Sequence, residues 1–365
     1  MSLRRNKPGE RGQRFLNPVN FLVPILSLFV VACGGDHPQS TIDPATSDFG
    51  PAIQDLYLTV FWWAMLILAV VWLVLAYILI RYRSRPGDPE PKQTHGHLGL
   101  EIGWTIAAAI VVVVITIPTI RTVFRTQAPA GPGALIVEVV GHQWWWEFRY
   151  PAEGVVTANE LRLPVGRTVE LQMTSADVIH SFWIPRFGGK RDLNPWVREP
   201  DDRGPRINRL TFTVEETGVY LGQCAEYCGL AHGLMGMRAI VETEADFQTW
   251  VQSMQSSPVP ETGTQADRGR EAFMTSTCIA CHSIAGTNAR GVLGPSLTRL
   301  GARTTIGAGL LDNTPENVAA WIRNPAEFKP GVKMPGVSEG GGGLPPTGLS
   351  EEQIEAIAAY LSSLR

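Results

Sequence analysis

Residues 224–235 read Cys-Ala-Glu-Tyr-Cys-Gly-Leu-Ala-His-Gly-Leu-Met and bring two thiols, an imidazole and a thioether close together in the chain. Soft sulfur ligands with an imidazole select copper or zinc, and a thioether favours copper because methionine is not an ordinary zinc ligand. Gly229 and Gly233 permit the turns that such a loop needs. One short loop rarely completes a metal site, so we expect an upstream ligand, and His180 in the segment Asp177-Val178-Ile179-His180-Ser181-Phe182 is the candidate. The pattern predicts copper over structural zinc.

The residues around this loop predict a β-domain. Short apolar and β-branched runs recur, as at 135–140, 168–173 and 210–214, and glycine and proline residues separate them. We assign residues 124–252 to this domain, find no 3.6-residue periodicity in it, and expect an antiparallel sandwich or barrel.

The tail of the chain carries a second redox motif. Residues 278–282 read Cys-Ile-Ala-Cys-His, the c-type haem attachment pattern, in which Cys278 and Cys281 bind the haem covalently and His282 meets the iron. Cytochromes c use methionine as the sixth ligand, and Met334 is the only methionine after His282, with no later histidine to compete. The alternative is a loop methionine with the iron left open or bound to water.

Helical patterns flank this motif at 268–275, 314–323 and 350–364, and they predict an all-α haem domain over 268–365. Ser350 and Gln353 have the spacing of a capping box at the start of the last helix. Residues 253–267 are rich in serine, proline, threonine and glycine, which is typical of a flexible linker.

Two uncharged segments, 57–80 and 102–120, are long enough to span a bilayer and predict a transmembrane hairpin over 57–123. The loop between them has an excess of basic residues, which places it in the cytoplasm by the positive-inside rule and both flanks outside. Glu101 lies at the cytoplasmic end of the second span, where a solvated capping residue is the simpler interpretation.

The first 32 residues combine five basic side chains, a short apolar run and small residues before Cys33, as a secretory signal does. We expect a lipoprotein signal with lipidation of Cys33, the alternatives being an ordinary signal peptide or a mature transmembrane helix. Residues 33–56 would then be an outer N-terminal segment. This signal independently places the later domains on the outer face.

Composition excludes several classes of protein. The chain has 365 residues, a net charge of −3 and 18% charged residues, so it has no basic field for nucleic acid and few charges for a wholly soluble protein. Its five cysteines are too few and odd in number for a disulfide framework.

The copper loop with its upstream His-Ser-Phe resembles the binuclear copper A site of cytochrome c oxidase subunit II. The resemblance implies a cupredoxin-like fold, two copper ions, and copper ligation by His180, Cys224, Cys228, His232, Met235 and the carbonyl of Glu226. It also implies that the Glu226 carboxylate binds magnesium or manganese at the interface with subunit I. The haem domain resembles a class I cytochrome c, with Gly294-Pro295 beside the haem.

Two further residues gain a role from this resemblance. Residues 141–147, Gly-His-Gln-Trp-Trp-Trp-Glu, are similar to the family's aromatic segment, which makes Trp144 the candidate for electron entry. Three consecutive tryptophans are also compatible with plain core packing. Glu101, followed by Trp104 and Thr105, matches the family's glutamate at the mouth of a proton path.

The sequence therefore resembles subunit II of a haem–copper oxidase with a fused cytochrome c. This implies a multi-pass protein of the bacterial cell membrane that passes electrons from haem c through copper A to subunit I, where oxygen is reduced with proton translocation. The implied partners are subunits I and III, an external cytochrome or other reductase, and membrane lipid, but no nucleic acid. The alternatives are a copper A subunit of a nitric oxide reductase and a membrane-anchored copper-binding lipoprotein.

Overall fold

The computed structural model describes residues 45–90, 92–195, 207–256, 258 and 263–365. The predicted signal peptide, Cys33 and residues 34–44 lie outside the described residues, and their assignment stays a prediction.

Two long apolar helices form the N-terminal part of the described chain. Helix α1 spans Phe49–Arg81 and helix α2 spans Leu98–Thr126, with mean hydropathies of 2.7 and 2.3 over their most apolar windows. The 33 residues of α1 extend about 50 Å, well beyond the ~30 Å of a bilayer's hydrocarbon core. Both helices run past the predicted spans 57–80 and 102–120 at each end, because polar residues at the ends continue the helix outside the apolar stretch.

The first turn of α1 is part of the β-domain. Phe49 and Ala52 are buried, and Phe49 belongs to the core of that domain. Just before the helix, the Ser47 hydroxyl donates to the carbonyl of Phe187 at 2.8 Å, and the Asp48 carboxylate accepts from the N–H of Thr213 at 2.9 Å. Packing and hydrogen bonds thus join the helix to the domain that follows.

The β-domain is a sandwich of two five-stranded sheets, as the sequence predicts. The first sheet has the order β3-β2-β1-β5-β8 and the second the order β4-β10-β9-β6-β7. The strands are β1 Leu135–His142, β2 Trp145–Tyr150, β3 Val155–Ala158, β4 Glu160–Pro164, β5 Thr168–Ser175, β6 His180–Trp183, β7 Arg191–Leu193, β8 Asn208–Thr213, β9 Gly218–Cys224 and β10 Gly236–Glu242. Most pairings are antiparallel, whereas β1–β5 and β4–β10 are parallel. Alternate residues of β1 are buried, as expected for strands with one face on the core.

A helix closes this domain, although its sequence shows no 3.6-residue periodicity. Helix α3 spans Glu244–Gln255, and the Thr243 side chain caps it by accepting from the N–H of Asp246 at 3.2 Å. Phe247 and Val251 bury the inner face of α3 against the sandwich. The helix enters the segment predicted as linker, and the next helix begins at Thr264.

The last domain is helical around the Cys-x-x-Cys-His motif. Its helices are α4 Thr264–Thr275, α5 Cys278–Cys281, α6 Pro315–Arg323, α7 Pro325–Phe328 and α8 Glu351–Ser363, and a two-residue strand pair, β11 Thr305–Ile306 with β12 Leu311–Asp312, is an addition to the predicted all-α fold. The predicted capping box is confirmed, with Ser350 and Gln353 exchanging side-chain to backbone hydrogen bonds. Helix α8 packs on α4 and α6, and Gly269 allows the close crossing, since a Cβ there would lie 1.9 Å from the Ala356 carbonyl oxygen.

Candidate copper centre and haem site

One end of the sandwich brings the predicted copper ligands together. Cys224 ends β9, Met235 immediately precedes β10, and the loop between these two neighbouring strands contains Cys228 and His232. His180 begins β6, which pairs with β9 in the same sheet. Hydrogen bonding of these strands therefore determines where each ligand lies.

The ligand atoms converge on one buried point. Sγ of Cys224 lies 3.8 Å from Sγ of Cys228 and 3.9 Å from Nδ1 of His180. Sγ of Cys228 lies 3.6 Å from Nδ1 of His232 and 3.9 Å from Sδ of Met235. The ligand atoms of His180, Cys224 and Cys228 all lie within 4.8 Å of one another, and the three side chains are buried. Two sulfurs, each with its own imidazole, form a donor set that fits soft metal ions such as copper.

Asp177 orients the first imidazole of the site. Its carboxylate lies 2.9 Å from Nε2 of His180, so Nε2 donates to it, and Nδ1 is the ring nitrogen that faces Cys224. Burial alone raises the pKa of Asp177, but hydrogen bonds from His180 and from the backbone N–H groups of Gln143 and Val178 hold the pKa well below its ordinary value. The carboxylate therefore stays ionised and keeps His180 in the tautomer that a metal ion requires.

The two thiols lie within hydrogen-bonding distance of each other, with their sulfur atoms 3.8 Å apart. The hydrogen bond from Cys228 lowers the pKa of Cys224, and the same contact raises the pKa of Cys228. Cys224 also lies 3.3 Å from the carbonyl oxygen of Glu226. Because the thiolate is the form that binds metals, the pair already holds one ligand in its binding form.

Two tryptophans connect the site to the rest of the domain. The indole N–H of Trp144 donates to the carbonyl of Cys228 at 3.1 Å, and the amide of Gln143 donates to the same carbonyl at 2.8 Å. The indole N–H of Trp146 donates to the carbonyl of Met235 at 3.4 Å. Both tryptophans belong to the buried core of the domain, where Trp146 has none of its surface exposed and Trp144 has 8%. Trp144 is therefore hydrogen-bonded directly to the copper loop, and its proposed role in electron entry stays a prediction.

The Glu226 carboxylate lies on the outside of this loop. Both Glu226 and its neighbour Tyr227 are exposed, and one carboxylate oxygen accepts from the N–H of Tyr227 at 3.1 Å. The carbonyl and the carboxylate of Glu226 thus lie on opposite sides of the loop, one toward the sulfurs and one toward solvent.

The haem motif is arranged for covalent attachment. Cys278 and Cys281 are the first and last residues of helix α5, both are free thiols, and His282 follows directly. Nδ1 of His282 lies 2.8 Å from the carbonyl of Pro295, so it donates there and leaves Nε2 for an iron ion. Burial lowers the pKa of His282, and the hydrogen bond to Pro295 opposes this effect only in part. The lowered pKa favours the neutral imidazole. Gly294 leaves space for the imidazole ring of His282, since a Cβ on residue 294 would lie 2.6 Å from that ring.

Met334 and Glu101 remain predictions, with partial structural support. Met334 packs against the core of the haem domain, on the loop between α7 and α8. Oε1 of Glu101 accepts from the N–H of His97 at 3.2 Å and so caps the start of α2, the simpler interpretation of this residue.

Three further residues support the site or the contact between the two domains, and their roles are not predicted from the sequence. Asp177 is one of them, although a carboxylate three residues before a ligand histidine is a usable signal. Glu160 and Lys329 are buried charged side chains with partners in the other domain. No sequence pattern indicated either contact, because both join residues far apart in the chain.

Comparison with known families agrees with this architecture. Residues 36–122 match the cytochrome c oxidase subunit II transmembrane domain, residues 152–243 match its periplasmic domain, and residues 266–365 match cytochrome c. Together they define a membrane-anchored protein with a cupredoxin-like copper domain and a fused cytochrome c domain.

Relatives extend the match to nearly the whole chain. Cytochrome c oxidase subunit 2 of Alkalihalophilus pseudofirmus is 36% identical over 96% of this chain and 97% of its own length. The corresponding protein of Bacillus sp. strain PS3 is 33% identical over 78% of this chain and 80% of its own length. The crystal structure of the periplasmic domain of Bradyrhizobium japonicum cytochrome oxidase subunit II is 30% identical, covers 35% of this chain and 96% of that chain, and has a TM-score of 0.31. The chain belongs to the cytochrome c oxidase subunit 2 family, and it is a subunit of an oxidoreductase complex.

Proposed function

We propose that this subunit carries electrons from its haem domain through its copper centre to subunit I of a terminal oxidase. When bound, haem c and copper A supply reversible one-electron chemistry. The protein holds these groups, keeps them from water and sets the distances between them. The observation that carries the proposal is the convergence of His180, Cys224 and Cys228, whose ligand atoms lie within 4.8 Å in a buried position.

The copper domain would hold two copper ions through a shared set of ligands. Cys224 and Cys228 would hold the copper ions, and each thiol also faces one imidazole, that of His180 or His232, which would hold them too. Met235 and the carbonyl of Glu226 would complete the set, each adjacent to a different sulfur. The haem domain would bind haem c through the thiols of Cys278 and Cys281, and His282 and Met334 would hold its iron.

The outer faces of the site would meet the partners. The exposed Glu226 carboxylate would bind magnesium or manganese where this chain meets subunit I, since hard cations prefer carboxylate oxygens. The two apolar helices would lie in the bacterial cell membrane beside subunit I, with both redox domains on the outer face. Subunit III and an external cytochrome or reductase would complete the assembly. Glu101, at the start of the second helix, is the candidate for a proton path.

The test is metal and haem content of the purified full-length chain, made in a host with a c-type haem maturation system. We expect two copper ions and one covalent haem per chain, with a mixed-valence copper signal. Cys224→Ser should lose the copper signal and keep the haem, whereas Cys281→Ser should do the reverse. One copper ion, or zinc without a mixed-valence signal, would contradict the copper A assignment.

A further inference from the structure

Charged side chains are buried where the copper domain meets the haem domain. Glu160 on β4 is 3% exposed, and its carboxylate oxygen Oε1 faces the haem domain. This oxygen accepts from the backbone N–H of Thr304 at 2.7 Å, from the hydroxyl of Thr304 at 2.6 Å and from the N–H of Thr305 at 3.0 Å. The hydroxyl of Thr305 lies 3.4 Å from the same oxygen. A single carboxylate oxygen of Glu160 in the copper domain thus accepts the hydrogen bonds from the start of β11 in the haem domain.

In a second buried contact, the charged side chain belongs to the haem domain and its acceptor to the copper domain. Lys329 of the haem domain is 2% exposed, and its ammonium donates to the carbonyl of Trp144 at 3.0 Å. The indole of that tryptophan in turn donates to the carbonyl of Cys228 in the copper loop. Lys329 precedes Met334 on the same segment, so this contact brings the proposed haem ligand loop to the copper loop.

The backbones also approach closely across this interface. A Cβ on Gly236, next to Met235, would lie 2.9 Å from the carbonyl oxygen of Ala308 in the haem domain. A Cβ on Gly331 would lie 2.8 Å from the side chain of Leu230 in the copper loop. Larger side chains at these two positions would keep the domains apart.

From these contacts we propose that the haem domain is locked on the copper domain by Glu160 and does not sample solution freely on its tether. The proposal rests on the proposed function and deepens it, because it names the interaction surface through which the two domains meet. A buried carboxylate is costly unless it is hydrogen-bonded, and here the haem domain provides those hydrogen bonds. The short connection from Gln255 to Thr264 adds a high effective concentration.

The lock determines where an outside electron donor binds. The haem domain covers Trp144, which is only 8% exposed and bonded to Lys329. A soluble protein donor therefore meets the haem domain and not the copper domain. Trp144 would then accept electrons from the attached haem domain only.

The test compares Glu160→Leu with Glu160→Gln in the assembled, haem- and copper-loaded oxidase. Two quantities are measured: amide hydrogen exchange of residues 303–306 and the rate of electron transfer from haem to copper after photoreduction of the haem. Leucine leaves the N–H groups of Thr304 and Thr305 without an acceptor, so we expect exchange at least about tenfold faster and a slower transfer rate. Glutamine retains an acceptor oxygen, so it should restore both quantities to within about threefold of the wild type.

Glu170→Leu is the matched control. Glu170 is a buried carboxylate of the same domain and is 4% exposed. It accepts hydrogen bonds from the N–H of Ala130 and the amide of Gln172 and pairs with Arg209, all within the copper domain. It should leave exchange at 303–306 unchanged. If Glu160→Leu changes exchange and transfer no more than Glu170→Leu does, the lock does not exist. Loss of the copper or haem signal in the wild-type chain would instead contradict the proposed function, so the two failures are distinguishable.

Discussion

Asp177 binds no metal ion in the proposed scheme, yet it determines how His180 can bind one. Its carboxylate accepts from Nε2 of His180 at 2.9 Å and from the N–H of Gln143 at 2.7 Å. It therefore fixes the imidazole and the residue before Trp144 at the same time. Loss of such an outer carboxylate commonly costs 10- to 100-fold in metal affinity.

We predict that Asp177→Asn weakens copper binding by about tenfold or more, because the amide keeps the shape of the side chain but loses its charge. The measurement is copper retained by the purified chain during dialysis against a graded chelator. Asp192→Asn, an exposed change on β7 of the same domain, is the control and should retain copper as the wild type does. Equal retention by both variants would show that Asp177 does not support the site.

The last helix illustrates what a local sequence signal determines. Ser350 and Gln353 form the predicted capping box, with N–H to side-chain distances of 3.3 and 2.9 Å. Helix α8 buries seven residues and packs on both α4 and α6. A change that destabilises this helix therefore lowers the free energy of unfolding of the whole haem domain. Such caps depend on residues within one turn, which is why the sequence alone predicts them.

Removing this cap should destabilise the haem domain. We predict that Ser350→Ala lowers its free energy of unfolding by about 1 kcal/mol, measured by guanidinium unfolding followed through haem absorbance. Ser362→Ala is the control, since among the described residues the Ser362 hydroxyl has no hydrogen-bond partner, and it should change stability by less than about 0.5 kcal/mol. A cap variant as stable as this control would contradict the prediction.

At the scale of the whole molecule, docking of the two domains should depend on pH through Lys329. Burial lowers the pKa of Lys329 from 10.5 to about 7. Below pH 7 the ammonium is charged in both the docked and the separated states, and the full cost of burying it opposes docking. Between about 7 and 10.5 only the separated state keeps the proton, so the cost declines as the pH rises.

We therefore predict that docking becomes tighter from pH 7 to pH 10, by at most about tenfold per pH unit. The measurement is the fraction of haem that transfers its electron rapidly to copper after photoreduction, at a series of pH values. Lys329→Leu removes the titrating group and should flatten this dependence. A wild-type profile as flat as that of the variant would contradict the assignment to Lys329.

The sequence predicted the candidate ligands that the structure brings together and the order of the domains, but not how the domains meet. The copper loop, the haem motif and the transmembrane segments are local patterns, each written in a short run of residues. Glu160 and Thr304 are far apart in the chain, and Glu160 looks like any strand residue beside Leu161 until the haem domain lies against it. Contacts of this kind depend on the relative position of complete domains, which composition and periodicity do not encode.

The joint between α1 and the copper domain has a mechanical consequence. Phe49 is packed in the core of the sandwich, and the residues just before it bond to Phe187 and Thr213, so there is no hinge at that point. We therefore expect the sandwich to keep a fixed position relative to helix α1. The distance from the copper ligands to an electron acceptor within the bilayer would then stay constant while the protein works.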